Sequence, residues 1–176
     1  MEYLTTDLIV FYITLTANIC YGLLFVYHFV KKDSNKSLMI LAGSLCLAMA
    51  VIHTFTSYKI GLDKSSLMFY NSVIHVYLIW MIINAITLFA ITGLHRLLAL
   101  PYHDTVKYVL RCLGLSIVLN MIMHVDIILL GNRDSTLLYS LYSYGENLIT
   151  AFMFCSVLVA RKWSEVFKWL QLAHSR

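Results

Sequence analysis

The sequence has few charged residues, and this scarcity excludes an ordinary soluble domain. Asp, Glu, Lys and Arg make up 12% of the chain and hydrophobic residues 60%, whereas soluble domains carry about 25% charged and about 45–50% apolar residues. The chain also has a single proline, so long helices can run without interruption. We therefore expect one domain of an integral membrane protein, with the lipid bilayer as the solvent of its outer surface.

Several motifs that carry chemistry are absent. The four cysteines lie inside apolar runs and form no CxxC pair, which argues against a disulfide framework or a zinc knuckle. The sequence also has no HExxH motif, GxSxG elbow or phosphate-binding glycine loop. Basic residues interleaved with aromatic ones are confined to short separators and the tail, so nucleic acid is not an expected partner.

Five apolar runs are each long enough to cross the roughly 30 Å of bilayer hydrocarbon, which takes about 20 helical residues. They cover residues 7–30, 38–58, 67–94, 106–130 and 136–160. Backbone polar groups in lipid must bond within their own segment, so each run should be a helix. The sequence predicts an all-α bundle of five transmembrane helices over residues 1–160.

The placement of basic residues predicts the orientation of the bundle. If the N-terminus lies outside, ten of the thirteen Lys and Arg residues fall on the cytoplasmic side and three on the outer side. Cytoplasmic loops are normally the richer in Lys and Arg. We therefore expect an N-out, C-in protein, most simply in a bacterial inner membrane.

Residues 161–176 form a tail of different character. Apolar residues recur in it at helical spacing, with charged residues elsewhere on the helical wheel; the apolar set is Trp163, Val166, Phe167, Leu170 and Ala173. This pattern predicts an amphipathic helix on the cytoplasmic membrane surface or against a partner.

Small and polar residues recur at helical spacing along each span. On the third they include Tyr77, Asn84, Thr87 and His95; on the fourth Cys112, Ser116, Asn120 and His124; on the fifth Ser143, Glu146, Asn147 and Thr150. Such stripes should face the bundle interior, where helices approach closely and hydrogen-bond. The Ser, Thr and Cys members are expected to form ordinary packing seams.

The ionisable members predict a site, because titratable side chains at membrane depth usually mark one. In the predicted topology His53, His75, His124, Asp126 and Glu146 lie about 6 to 15 Å from the outer ends of their spans. Imidazoles with carboxylates are ligands that transition metals accept. We predict that His53, His75, His124 and Glu146 bind a cation: a metal, a haem iron or a proton.

Three further residues are predicted to hydrogen-bond to these ligands and orient them: Asp126, Asn71 and Asn120. Asp126 follows His124 by two positions, so the two side chains project about 200° apart on one helix. They could face one metal only if the helix ended or unwound there. No two of the predicted ligands form a chelating i, i+4 pair, so polar contacts between helices, or a proton or ion pathway, are alternative interpretations.

A b-type haem is a second possible cofactor, because histidines on different helices can ligate its iron. His75 and His95 lie about 30 Å apart along the third span, so two haems would need opposite membrane faces. A single haem near the outer face, with His53 or His124 opposite His75, is the simpler arrangement. The other histidines, His28, His95, His103 and His174, are most simply interfacial side chains beside lysines and arginines.

Two further functional classes compete with cation binding. The short separators allow a non-enzymatic subunit or immunity-type protein that meets a membrane-protein partner within the bilayer. The polar stripes also allow a channel or transporter, for which five spans without a repeat would require a homo-oligomer. Whether the protein is an enzyme is left open by the sequence.

Overall fold

The computed structural model describes residues 2–31, 35–60, 76–126, 130 and 136–159, and its regular elements are all helices. Five helices follow one another: α1 (Glu2–Val30), α2 (Lys36–Ile60), α3 (Val76–Leu97), α4 (Asp104–His124) and α5 (Thr136–Leu158). The predicted all-α class is confirmed. The predicted tail helix lies outside the described residues.

Within the described part of the chain, three helical segments are long and apolar enough to cross a membrane. They are Lys36–Phe55, Tyr77–Leu97 and Asp104–His124, with a shorter apolar stretch at Leu15–Val30. The outer surface carries large apolar side chains: Phe29, Phe89 and Leu97 are 70%, 71% and 80% exposed. A surface of this kind is unfavourable in water and is compatible with a membrane protein.

Two helix boundaries bear on the predicted spans. The third span was predicted to begin at residue 67; α3 begins at Val76, and residues 67–75 lie outside the described ones. The fourth was predicted to reach residue 130. Its α-helical part, α4, ends at His124, and the chain continues as a π-helical turn through Val125 and Asp126, with the N–H of Leu130 bonded to the carbonyl of Val125. The bounds of both spans stay predictions.

The connection from α3 to α4 is a defined turn. Ala99 has φ of 48°, the left-handed conformation that usually requires glycine. Its N–H bonds to the carbonyl of Arg96, and the N–H of Leu100 bonds to the carbonyl of His95. This pair of bonds is the Schellman arrangement that closes a helix C-terminus. The turn returns the chain to the same end of the bundle, where His103 caps α4 by accepting the N–H of Thr105.

Helices adjacent in sequence pack against each other: α1 on α2, α2 on α3, α3 on α4, and α4 on α5. Tyr21, Leu41, Ile91 and Leu113 are among the buried residues of this core. Gly43 permits the close approach of α1, because a Cβ there would lie 2.9 Å from the Phe25 ring. Small residues play this part between membrane helices.

The predicted inward stripes are confirmed on two helices. Asn84 and Thr87 on α3, and Ser116 and Asn120 on α4, are all buried. On α5 the prediction is wrong for Asn147, which is exposed. Glu146 occupies the adjacent position and is half-buried. The face of α5 that points into the bundle therefore contains Glu146 but not Asn147.

Candidate functional site

The polar residues of α3, α4 and α5 meet in one cluster, which we call the Glu146 centre: Asn84, Ser116, Asn120, Tyr142 and Glu146. Ser116 and Asn120 are 1% and 0% exposed. They stand one turn apart on α4 and therefore share a face. Asn84 approaches this face from α3, while Tyr142 and Glu146, again one turn apart, approach it from α5.

Hydrogen bonds join all five side chains. The Ser116 hydroxyl donates to the Glu146 carboxylate, with Oγ 2.7 and 2.9 Å from its two oxygens. Asn120 Nδ2 also donates to Glu146 Oε1. Behind these donors, Asn84 Nδ2 donates to Ser116 Oγ over 2.7 Å. Tyr142 Oη donates to Asn120 Oδ1 over 3.0 Å.

These hydrogen bonds form two series, and in each series the last group donates to the Glu146 carboxylate. One chain runs from Asn84 through Ser116 to Glu146, and the other from Tyr142 through Asn120 to Glu146. In the part of the chain that the structure describes, no Lys or Arg forms an ion pair with Glu146. Among the described residues, the groups that hydrogen-bond to this carboxylate are neutral.

The structure does not test the predicted ligand set as a whole. Among the described residues, no group of three or more His, Cys, Asp or Glu side chains is placed to hold a metal ion, so His53, His124 and Glu146 do not by themselves form such a group. His75 and Asn71 lie outside the described residues, and the complete set stays a prediction. Asn120 was expected to orient the ligands, and its side chain donates a hydrogen bond to Glu146.

His124 and Asp126 lie where α4 ends. His124 is the last residue of the helix and Val125 its C-cap. Both side chains were predicted to face one ion only if the helix ended or unwound near this point, and the chain continues past His124 as a π-helical turn through Val125 and Asp126. Both are half-buried and both take part in interactions within the structure.

His95 does not behave as an interfacial side chain or as a free haem ligand. Its exposed fraction is 1%. Nδ1 lies 2.7 Å from the carbonyl oxygen of Ile91, and Nε2 lies 2.7 Å from Ser37 Oγ. Because both ring nitrogens are hydrogen-bonded, His95 has no nitrogen ready to ligate iron. The simple interfacial interpretation of His95 is therefore wrong.

From the sequence, Ser116 was expected to form an ordinary packing seam and Asn84 to face the bundle interior, and Tyr142 was not among the predicted site residues. The available signal was the combination of two features: an amide and a hydroxyl one turn apart on one span, and a carboxylate in the middle of the next. An apolar span with an isolated carboxylate needs donors nearby, and consecutive helices are the first place to find them.

The chain matches no family model, no curated protein and no solved structure.

Proposed function

We propose that this is a small polytopic membrane protein that binds a cation at the Glu146 centre, with the proton as the occupant that the geometry favours. The proposal includes the predicted N-out, C-in arrangement of five spans and a bacterial inner membrane location. The observation that carries it is the half-buried carboxylate of Glu146, held by Ser116 and Asn120 without a basic partner in the described chain.

A proton fits the centre because one of its hydrogen-bond donors, Ser116, can also act as an acceptor. If Glu146 takes up a proton, its hydroxyl must donate to a neighbour. The Asn120 amide nitrogen cannot accept a hydrogen bond, whereas a serine hydroxyl can both donate and accept. Ser116 can therefore turn its own proton away and accept the one from Glu146, while Asn84 continues to donate to it.

The histidines extend the proposal toward the outer membrane surface. His124 stands one turn beyond Asn120 on α4, so it continues the polar line from Glu146 toward the end of the helix. His53 and His75 would either belong to this route or complete a metal site. Histidine is suited to a proton route because its unperturbed pKa lies near neutrality.

Thermal unfolding in detergent tests the proposal, because an ion that binds only the folded state raises Tm. The melting temperature is measured across pH, and at fixed pH with Na⁺ or Zn²⁺ added. The wild-type protein should respond to pH or to one of the two metals, and Glu146→Gln, which keeps the shape but cannot ionise, should lose that response.

Asp104→Asn is the matched control. Asp104 is an exposed carboxylate paired with Lys107 at 2.9 Å, so its loss should leave the response of the wild type intact. Identical responses of wild type and Glu146→Gln to pH and to both metals would refute the proposal. A response to Zn²⁺ rather than to pH would identify a metal as the occupant.

A further inference from the structure

A second polar cluster joins helix ends at the end of the bundle where α2 begins and α3 ends. We call it the Ser37–His95 pair. Ser37 lies in the first turn of α2 and His95 in the last turn of α3, and their exposed fractions are 3% and 1%. The two residues are separated by 58 positions in the chain, yet Ser37 Oγ is 2.7 Å from His95 Nε2.

The hydrogen bonds determine where the protons are. The Ile91 carbonyl, 2.7 Å from His95 Nδ1, can only accept, so Nδ1 carries the ring proton. In the neutral ring Nε2 is then the acceptor, and the Ser37 hydroxyl donates to it. The ring of Tyr102 stacks on the imidazole at 4.6 Å and 11°, which holds the base in this orientation.

This is the arrangement of an activated nucleophile: a hydroxyl within reach of a base, and the base oriented by a third group. Here the third group is the Ile91 carbonyl. The backbone N–H of His103 donates to Ser37 Oγ over 3.1 Å, and this bond would stabilise negative charge as the hydroxyl loses its proton.

A cavity that Ser37 lines, and that His95 does not, lies next to the pair. Its volume is about 550 Å³, within the range of about 300–1,000 Å³ found for ligand sites. Ser37 lines it, together with Lys36, Tyr102, His103 and Asp104. Because Asp104 is already paired with Lys107, the Lys36 ammonium is available to attract an anionic group.

We propose that Ser37 and His95 act as nucleophile and general base toward a carboxylic ester that enters this cavity, with a negatively charged part of the ester near Lys36. The Ser37 oxygen bonds to the ester carbonyl carbon as its proton passes to His95 Nε2. The ester C–O bond then breaks, and the departing alcohol takes that proton. Water, deprotonated by His95, releases the acyl group as a carboxylic acid and regenerates Ser37.

The first test uses phenylmethylsulfonyl fluoride, a small serine-reactive probe, on the purified full chain in detergent. Its sulfonyl sulfur should bond to Ser37 Oγ with loss of fluoride, as detected by mass spectrometry of the peptide that contains Ser37. His95→Gln should slow this modification by about 100-fold or more, the usual contribution of a general base. Ser57→Ala, which alters an exposed serine of α2 that does not line the cavity, should react at the wild-type rate.

Two results would overturn the proposal: no modification of Ser37 in the wild-type protein, or equal modification in His95→Gln. Ser37→Cys provides a second measurement, in which a thiol replaces the hydroxyl and His95 is kept. Its new thiol should be alkylated by iodoacetamide faster than the same thiol in the Ser37→Cys/His95→Gln double variant. Equal alkylation rates would also contradict the assignment, since a merely structural serine needs no base.

Discussion

The Glu146 centre and the Ser37–His95 pair are both polar clusters in an apolar bundle, but their hydrogen bonds have different directions. At the Glu146 centre, two donor chains end on one carboxylate. In the Ser37–His95 pair, a single proton lies between an oxygen and a nitrogen, each of which can hold it. The first arrangement stabilises a charge, and the second can transfer a proton.

The two clusters are also built from different parts of the fold. The side chains of the Glu146 centre all project from within regular helices. The Ser37–His95 pair lies at helix ends and uses backbone groups as well, namely the carbonyl of Ile91 and the N–H of His103. Loss of a side chain should therefore leave an uncompensated charge in the first cluster and only neutral groups in the second.

The largest expected effect follows from Asn120→Ala. This change removes a donor to the Glu146 carboxylate and one acceptor of the Tyr142 hydroxyl, and a hydrogen bond to a charged group contributes about 1.5–3 kcal/mol. We expect a loss of about 3 kcal/mol in the free energy of unfolding, measured by denaturant titration in detergent. Asn147→Ala, which removes an exposed amide, should change it by less than about 0.5 kcal/mol. Equal losses for the two variants would contradict the account.

Ser37→Ala should have a smaller effect. It leaves neutral groups unpaired, the Nε2 of His95 and the N–H of His103, so we expect a loss of about 1 to 2 kcal/mol. Ser57→Ala is the control, because Ser57 is an exposed serine of the same helix that bonds to the carbonyl of His53. A loss from Ser37→Ala larger than that from Asn120→Ala would reverse the proposed ranking of the clusters.

Ala99→Gly should stabilise the protein by about 1 kcal/mol, because it relieves a left-handed backbone conformation that costs an L-residue about that much. The same change at the exposed helical residue Ala151 should destabilise by a similar amount. If Ala99 has the left-handed conformation, thermal unfolding should give a higher Tm for Ala99→Gly and a lower Tm for Ala151→Gly than for the wild type. A destabilising Ala99→Gly would show that it is not.

The smallest effect concerns pH and His103. Burial lowers the pKa of this imidazole below its ordinary value, so the unfolded chain binds more protons than the folded one between the two pKa values. Stability should therefore rise with pH through that window, which ends at about 6.5, and be lost as pH falls. His103→Asn keeps a good helix cap and should flatten this part of the Tm–pH curve. An unchanged curve would exclude His103 as its source.

The sequence predicted the all-α class and two members of the Glu146 centre, Glu146 as a ligand and Asn120 as a residue that supports it. Helical spacing also placed Ser116 on the same face as Asn120, but Ser116 was expected only to pack. Shared depth predicted that His53 meets Glu146, and this contact stays a prediction. Depth gives a position along the bundle axis but not around it, and α2 packs mainly on α1 and α3 whereas α5 packs on α4.

The Ser37–His95 pair was missed for a different reason. The contact depends on where α3 stops, and the left-handed conformation of Ala99 that closes this helix gives no glycine signal in the sequence. An apolar pattern likewise gave no indication that the helix changes from α to π after His124. Chain reversals decide which helix ends meet, and they are set by backbone hydrogen bonds that hydropathy does not reveal.

Infrared difference spectroscopy of the carboxyl groups tests the central claim most directly. Spectra of the full chain in lipid are recorded from alkaline to acid pH for the wild type, Glu146→Gln and Asp104→Asn. We predict that one component of the protonated-carboxyl C=O absorption appears on acidification in the wild type and in Asp104→Asn and is missing from Glu146→Gln, while the components from the other carboxyl groups remain. Its presence at full strength in Glu146→Gln, or its absence from the wild type, would contradict proton binding at Glu146.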